Sequence, residues 1–138
     1  MEIESLGFEV LPDYDKCFGC GKSNPIGLKL RFKNEEGTAR CEFIPGPEHQ
    51  GWPGVVHGGI LSTVLDEALG WAALFHGKKT VTGKLEIRFR KPAKIKEPLH
   101  IESKITRDRG RFLIAEASAK DCEGNVIAEA IGTMFVIP

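Results

Sequence analysis

One helical pattern lies in the middle of a chain whose other periodic segments are strands. From Ile60 to about Phe75, apolar residues recur at helical spacing: Leu61, Leu65, Ala68, Ala72 and Phe75, with Val64 and Leu69 widening the stripe. His57-Gly58-Gly59 precedes this helix, and Gly77 is a stop signal after it. A helix with so apolar a face has to be buried, and strands are the elements available to bury it.

Six segments have the patterns typical of strands. Two precede the helix, 28–33 and 38–44, and a turn at Glu35-Glu36-Gly37 joins them. Four follow it: 80–90, 99–107, 112–119 and 126–137. Short turns between long strands make neighbours antiparallel. The last strand is apolar on both faces, so we expect it in the interior of the sheet.

This order of elements predicts an α+β hotdog fold, in which an antiparallel sheet of about six strands wraps around one long central helix. A helix lying flat on one sheet face would give a similar pattern. The length of 138 residues fits a single domain over 1–138, with residues 1–27 as an N-terminal leader that contains a C-x-x-C loop.

Charge and hydropathy exclude several classes of partner. Nineteen basic and nineteen acidic residues cancel, so no net field favours nucleic acid or an anionic membrane. Met1 to Leu11 lacks the features of a secretory signal, and no apolar stretch approaches the roughly 20 residues that span a bilayer. We therefore expect a cytoplasmic protein that binds a small molecule and neither nucleic acid nor membrane.

The leader carries Cys17 and Cys20 in a C-x-x-C arrangement. Such a pair can bind zinc or do redox chemistry, but a structural zinc site needs four ligands and no second half-site follows in the sequence. The default interpretation is a tight structural loop with free thiols, and a metal or redox role is the alternative. We expect no metal and no cofactor.

Asp66 falls on the helix face opposite the apolar stripe, among the small side chains Ser62, Thr63, Gly70 and Ala73. A solvated face normally carries long charged residues, so something packs closely here. The carboxylate is either functional or a satisfied acceptor at a packing contact. Glu67, about 100° further around the helix, is the weaker candidate.

The helix start offers a second feature, because Gly58 and Gly59 leave backbone N–H groups approachable at the positive end of the helix dipole. His57 either caps the helix or orients a substrate oxygen. Gly58 and Asp66 lie roughly 12 Å apart along a helix, whereas an oxyanion donor and a nucleophile or base both act at about 3 Å from one carbonyl. If both act in one site, two chains must face each other, which predicts a homodimer.

Several motifs then form a recognisable set: 54–60 (GVVHGGI), 65–71 (LDEALGW), 87–93 (IRFRKPA), Gly110-Arg111 and 124–128 (GNVIA), with the leader CFGCG and NPIGL. Together they resemble the hotdog-fold thioesterases of the 4-hydroxybenzoyl-CoA and phenylacetate-pathway (PaaI-like) type. The resemblance implies hydrolysis of an acyl-CoA thioester to a carboxylic acid and free coenzyme A, by a homodimer or by a tetramer of two dimers.

The resemblance also implies roles for individual residues. Asp66 corresponds to the nucleophile or general base, and the backbone N–H of Gly58 from the partner subunit polarises the thioester carbonyl, with His57 in the same motif. Thr82 corresponds to a hydroxyl that helps hold the attacking water. Contacts to substrate or coenzyme A are implied for Gln50, Gly59, Arg90, Lys91, Arg109 and Arg111, and phosphates favour such cations.

One departure and two alternatives remain. Several relatives carry Asn or Gln upstream of the glycine pair, where this chain has Gly51, and the adjacent Gln50 is the expected substitute. The alternatives are a non-catalytic acyl-CoA binding or sensing module and a hydratase or dehydratase, which would want a histidine inside the tunnel rather than at the helix start. Trp71 and Phe75 fit a pocket wall or the core equally, and the sequence does not define the acyl group.

Overall fold

The computed structural model describes residues 14–138, which form a six-stranded antiparallel sheet around one long helix. The elements are β1 (Lys33–Glu35), β2 (Thr38–Phe43), α1 (Gly58–Phe75), β3 (Thr80–Phe89), β4 (Leu99–Asp108), β5 (Phe112–Lys120) and β6 (Val126–Val136). The helix contacts five of the six strands, β2 to β6. The predicted α+β hotdog architecture is confirmed. The start of the leader, including Met1 to Leu11, lies outside the described residues.

The strand order across the sheet is β1-β2-β4-β5-β6-β3. Every neighbouring pair is antiparallel. β6 lies between β5 and β3, so its predicted interior position is confirmed. The two edges differ greatly, since β1 has 3 residues and β3 has 10. The long edge strand β3 directly follows the helix in sequence.

The apolar stripe of α1 faces the sheet, as predicted. Leu61, Val64, Leu65, Ala68, Leu69 and Ala72 are all buried. Each leucine contributes roughly 2 kcal/mol when it leaves water completely. The helix ends at Phe75, and Gly77, which has a φ of +86°, lets the Lys78 N–H reach the Ala73 carbonyl at 2.9 Å. Among the described residues, no helix combines the length and apolarity needed to cross a bilayer.

The predicted strand over 28–33 is wrong in extent, because ladder pairing begins only at Lys33. The alternation of burial holds, with Leu30 and Phe32 buried between exposed neighbours. The backbone of this segment pairs with the leader instead of with a strand: the Leu30 N–H donates to Gly19 at 2.9 Å. A positive φ of 54° at Lys29 also breaks the extended path. Side-chain alternation therefore identified the buried face but not the backbone partner.

Two side chains of α1 belong to the core. Trp71 is buried and stacks on Phe32 with ring centroids 6.3 Å apart, and it also contacts Phe75 at 5.4 Å. The core interpretation of Trp71 is thereby favoured over a pocket wall. Ala73 is fully buried, so the small-residue face that it shares with Asp66 is covered at the C-terminal end of the helix.

Candidate active site

Asp66 is oriented by a strand residue. The Thr82 hydroxyl donates a hydrogen bond to Asp66 Oδ1 at 2.6 Å. Thr82 is exposed near the start of the edge strand β3, and Asp66 is half-buried on α1. The carboxylate is thus held in one orientation while it stays accessible at the free edge of the sheet. Such a group can attack an electrophile or activate a water molecule.

A β-bulge decides which way Thr82 points. Cross-strand partners share a face of the sheet. Thr82 pairs with the buried Met134, and Leu85 pairs with the buried Gly132, so both point toward the helix. Strict alternation would put residues 82 and 85 on opposite faces, and the register shift between residues 82 and 84 removes that conflict. The bulge therefore aims the Thr82 hydroxyl at Asp66.

The two glycine amides at the helix start differ in their hydrogen bonding. The His57 Nδ1 accepts the Gly59 N–H at 2.8 Å, so His57 caps the helix and its capping interpretation is confirmed. Within residues 14–138, the Gly58 N–H has no acceptor among the hydrogen bonds observed. Both glycines are exposed. Gly58 therefore presents an unsatisfied donor at the helix N-terminus, and Gly59 does not.

The helix face between these groups is lined by small side chains that turn back on the backbone. The Ser62 hydroxyl donates to the Gly58 carbonyl at 2.7 Å, and Thr63 donates to the Gly59 carbonyl at 3.0 Å. A Cβ at Gly70 would meet nothing within 4 Å. This part of α1 consequently leaves room for another molecule beside Asp66, as its composition indicated.

Phe89 is a site residue that the pattern analysis did not single out. It is 52% exposed despite its position on the inner face of β3. A Cβ at Gly58 would lie 3.6 Å from its ring. In the sequence, Phe89 could have been noticed as the last apolar residue of the alternating run that forms β3. Gly58 and Phe89 therefore lie at one end of the gap between α1 and β3. Asp66 and Thr82 lie at its other end.

The candidate coenzyme A residues fall into two groups. Arg90 and Lys91 follow the end of β3, and both backbone N–H groups bond to Ile127. Arg109 and Arg111 lie in the β4–β5 turn beside the start of β3, where the Val136 N–H bonds to the Arg111 carbonyl. One chain therefore places these cations at opposite ends of the edge strand. Arg90 also forms an ion pair with Glu129.

Gln50 lies in the loop that leads into the helix. It is exposed, and its side-chain oxygen accepts the Gly54 N–H at 3.0 Å. The chain folds back here, since Gln50 pairs with Val56 in an isolated bridge. Gly51 lies directly against His57, where a Cβ would be 3.4 Å from the ring. Gln50 thus helps to shape the loop before the helix start through its side-chain amide oxygen.

Glu67 points away from Asp66 toward the leader. Its carboxyl group lies 3.3 Å from the Cys17 sulfur. Burial, followed by the negative charge of Cys17, raises the pKa of Glu67 to about 8. Asp66, with its strand hydroxyl and its accessible face, remains the stronger candidate for chemistry.

Comparison with known proteins decides the family. The sequence profile of the Thioesterase superfamily matches residues 53–128, which include the helix start, Asp66 and Thr82. The chain belongs to the thioesterase superfamily. This membership confirms the resemblance inferred from the motifs and makes the protein a thioester hydrolase by family.

Two relatives similar to this thioesterase are both longer than it is. A Saccharolobus solfataricus protein, provisionally named an esterase, is 32% identical over 115 residues, which are 82% of this chain and 75% of that protein. The acyl-coenzyme A thioesterase THEM4 of Bos taurus is 33% identical over 118 residues, covering 83% of this chain. The chain spans about half of THEM4, since 48% of that protein is covered.

A solved structure shows the same fold in this thioesterase superfamily. The crystal structure of a superfamily protein called RHA08564 superposes with a TM-score of 0.81 at 27% identity, over 84% of this chain and 61% of that one.

A large concavity of the thioesterase lies away from Asp66 and Thr82. It has a volume of about 980 Å³ on the outer face of the sheet. Its lining carries charges of both signs that pair with each other, as in the Arg40–Glu102 and Arg90–Glu129 ion pairs. Asp66 and Thr82 do not line it.

Proposed function

We propose that the protein hydrolyses acyl-coenzyme A thioesters to a carboxylic acid and free coenzyme A. Asp66 acts as nucleophile or general base, and the Gly58 N–H of the partner subunit stabilises the oxyanion. One observation supports this proposal above all. A chain of the thioesterase superfamily carries both an oriented, accessible carboxylate and an unsatisfied backbone amide at the N-terminus of its helix.

The electrostatic part of the mechanism rests on the Gly58 amide. Attack on the thioester carbonyl moves negative charge onto its oxygen, and a preorganised N–H at the positive end of a helix dipole stabilises that charge. One such donor typically accounts for roughly 3 to 4 kcal/mol of transition-state stabilisation. Since His57 already occupies the Gly59 N–H, Gly58 is the donor that can serve. Thr82 holds Asp66, and through it the attacking water, in position.

The edge strand β3 supports a homodimer. Ten residues of strand with a partner on one side only leave a row of unpaired backbone groups, which proteins normally cover. Exposed apolar side chains, Val81 and Phe89, accompany this edge. Two copies of β3 that pair antiparallel about a twofold axis would cover both edges in a single continuous sheet.

The same antiparallel pairing assembles the site. Full overlap of two β3 strands sets the Thr82 end of one chain beside the Phe89 end of the other. Asp66 lies at the Thr82 end, where it accepts the threonine hydroxyl, and Gly58 lies at the Phe89 end. The carboxylate of one chain then meets the free amide of its partner, which no single helix achieves. Assembly of two dimers into a tetramer stays a prediction.

Pairing of two β3 strands also brings the cationic side chains of the two chains together. Arg90 and Lys91 of one chain come to the same end as Arg109 and Arg111 of the partner subunit. Guanidinium and ammonium groups bind phosphates through charge-assisted hydrogen bonds. The dimer edge therefore offers a phosphate-binding surface at each site, consistent with a coenzyme A substrate.

A thiol-release assay over acetyl-, benzoyl- and palmitoyl-CoA tests the proposal with the wild-type protein and Asp66→Asn. We expect turnover of at least one substrate by the wild type and a fall of about 10²- to 10⁴-fold in kcat for the variant. Glu86→Gln is the matched control, because Glu86 is an exposed acid on the outer face of β3 paired with Lys84. Binding of all three without turnover would instead identify a non-catalytic acyl-CoA binding module.

A further inference from the structure

Cys17 and Cys20 meet Glu67 at the junction between the leader and the helix. One sulfur from each cysteine and one carboxylate oxygen all lie within 4.8 Å of one another. All three residues are half-buried. Metal sites often use two cysteines that are close in sequence, as Cys17 and Cys20 are. The third group, the Glu67 carboxylate, comes from α1, 47 residues after Cys20 in the chain. The sequence pattern alone had offered two ligands.

The loop is shaped to admit the carboxylate. A Cβ at Gly19 would overlap the Glu67 carboxylate, so a larger residue there would displace that carboxylate from its place beside the cysteines. The Gly21 N–H closes the loop on the Cys17 carbonyl at 2.8 Å, and the Leu28 N–H anchors it through the Phe18 carbonyl at 2.9 Å. Backbone bonds that do not depend on the side chains therefore fix the shape of the loop that carries the two cysteines.

The electrostatics of the cluster favour a cation. The Cys20 thiol, together with the Gly19 and Cys20 backbone N–H groups, lowers the pKa of Cys17 to about 5 against the opposing effect of burial. The pKa of Cys20 is raised, first because Cys17 accepts its proton in a hydrogen bond and then by burial. Burial raises the pKa of Glu67, and the charges of Cys17 and Asp66 raise it further. Three acidic groups thus compete for protons in a confined space.

We propose that Cys17, Cys20 and Glu67 bind one borderline-soft divalent cation per chain, of which Zn²⁺ is the type. Two thiolates and a carboxylate are ligands that Zn²⁺ accepts in tetrahedral geometry, and the fourth position is open to water. Binding releases to solvent the protons that the ligands still carry. The cation ties the leader to α1 immediately behind Asp66, so its role is structural and distinct from the hydrolytic chemistry.

A redox dithiol is the competing use of the same cysteines. Disulfide exchange requires a thiol pair and a reactive thiolate, but it has no need of a carboxylate fitted against both sulfurs. The fit of Glu67 over Gly19 is accounted for by a metal ligand and not by thiol exchange.

The test uses the reduced full-length protein, stripped with a chelator and titrated anaerobically with Co²⁺. We expect one Co²⁺ per chain with the near-ultraviolet thiolate-to-cobalt absorption and visible bands of a tetrahedral site, and displacement by one Zn²⁺. Cys17→Ser and Cys20→Ser each abolish stoichiometric binding. Glu67→Gln keeps the sulfur absorption but weakens binding by at least tenfold. Cys122→Ser is the matched control, since that exposed thiol lies outside the cluster, and it binds as the wild type does.

A second readout needs no variant. Zn²⁺ is expected to protect two of the four thiols of the wild-type protein from a thiol reagent and to raise the thermal unfolding midpoint. Absence of sulfur-to-cobalt absorption in the wild type, protection of no thiols, or unchanged binding in Cys17→Ser would each overturn the proposal. Thioesterase activity enters none of these measurements, so its presence or absence leaves the result intact.

Discussion

Thr82 on β3 and Asp66 on α1 are joined by a hydrogen bond of 2.6 Å, with the threonine hydroxyl as donor. The bond crosses the gap between the helix and the sheet edge, and it is the direct contact through which the strand sets the orientation of the carboxylate. The strand that orients Asp66 is also the strand whose outer edge is unpaired. In the proposed mechanism, β3 therefore links the orientation of the catalytic carboxylate to the assembly of the dimer.

Replacing Thr82 with valine removes the hydroxyl and keeps the shape. A hydrogen bond to a charged group contributes about 1.5 to 3 kcal/mol, so we expect kcat to fall by about 10- to 100-fold with little change in KM. Thr82→Ser retains the donor and most of the rate. Steady-state kinetics on the preferred acyl-CoA measure both, and a Thr82→Val enzyme with wild-type kcat would show that this bond does not position the reacting group.

Replacing Gly58 with proline deletes the proposed oxyanion donor. Proline is favoured at the first helical position, and the extended conformation of His57, with φ of −61° and ψ of 134°, suits the residue before a proline. The fold should therefore persist while kcat falls by about 10²- to 10³-fold. Gly58→Ala is the control, because it keeps the N–H and its Cβ would make only ordinary contact with Phe89 at 3.6 Å. Equal losses in the two variants would point to a steric effect instead.

Mixing the two inactive proteins tests whether the site is shared between chains. A heterodimer of Asp66→Asn and Gly58→Pro has one doubly defective site and one intact site. Random exchange of subunits should therefore restore about a quarter of wild-type activity. Unfolding and refolding the variants together, followed by assay and sedimentation analysis, gives the measurement. If the refolded mixture stays as inactive as its components although dimers form, both groups act within one chain or not at all.

Asp121 gives a pH dependence of stability with a defined sign. Its carboxylate accepts from the Asn125 side chain at 3.0 Å and from the Glu123 and Asn125 N–H groups, and these bonds, led by that of Asn125, lower its pKa. A lowered pKa stabilises the fold above the ordinary range of about 3.9 and ceases to do so as the pH falls through the folded value. Asn125→Ala should therefore lower the urea midpoint at pH 7 and converge with the wild type near pH 2.

The control for this pH experiment is Cys122→Ser, which changes the same turn without a bond to Asp121. Its difference from the wild type should not vary between the two pH values. A difference for Asn125→Ala that persists unchanged in acid would mean that the side chain supports the turn without its charge-assisted bond to Asp121.

Periodicity in the sequence predicted most of the fold. The stripe of α1 matched the buried face from Leu61 to Ala72, because a 3.6-residue repeat has one inward face whatever surrounds it. The two-sided apolar character of 126–137 likewise predicted an interior strand. Backbone pairing was less predictable, as the segment 28–33 shows. Its side chains alternate as a strand's do, but its hydrogen-bond partner is a loop from the leader, and side-chain patterns carry no information about that choice.

What the sequence determined by itself was the single central helix, the strands around it, and a carboxylate and a glycine amide placed eight residues apart, since these follow from local spacing. Tertiary structure decided which groups meet. The bulge after Thr82 turned its hydroxyl to the helix, and folding of the leader brought Cys17 and Cys20 to Glu67. Contacts between residues distant in sequence depend on packing and register, which a local pattern does not encode.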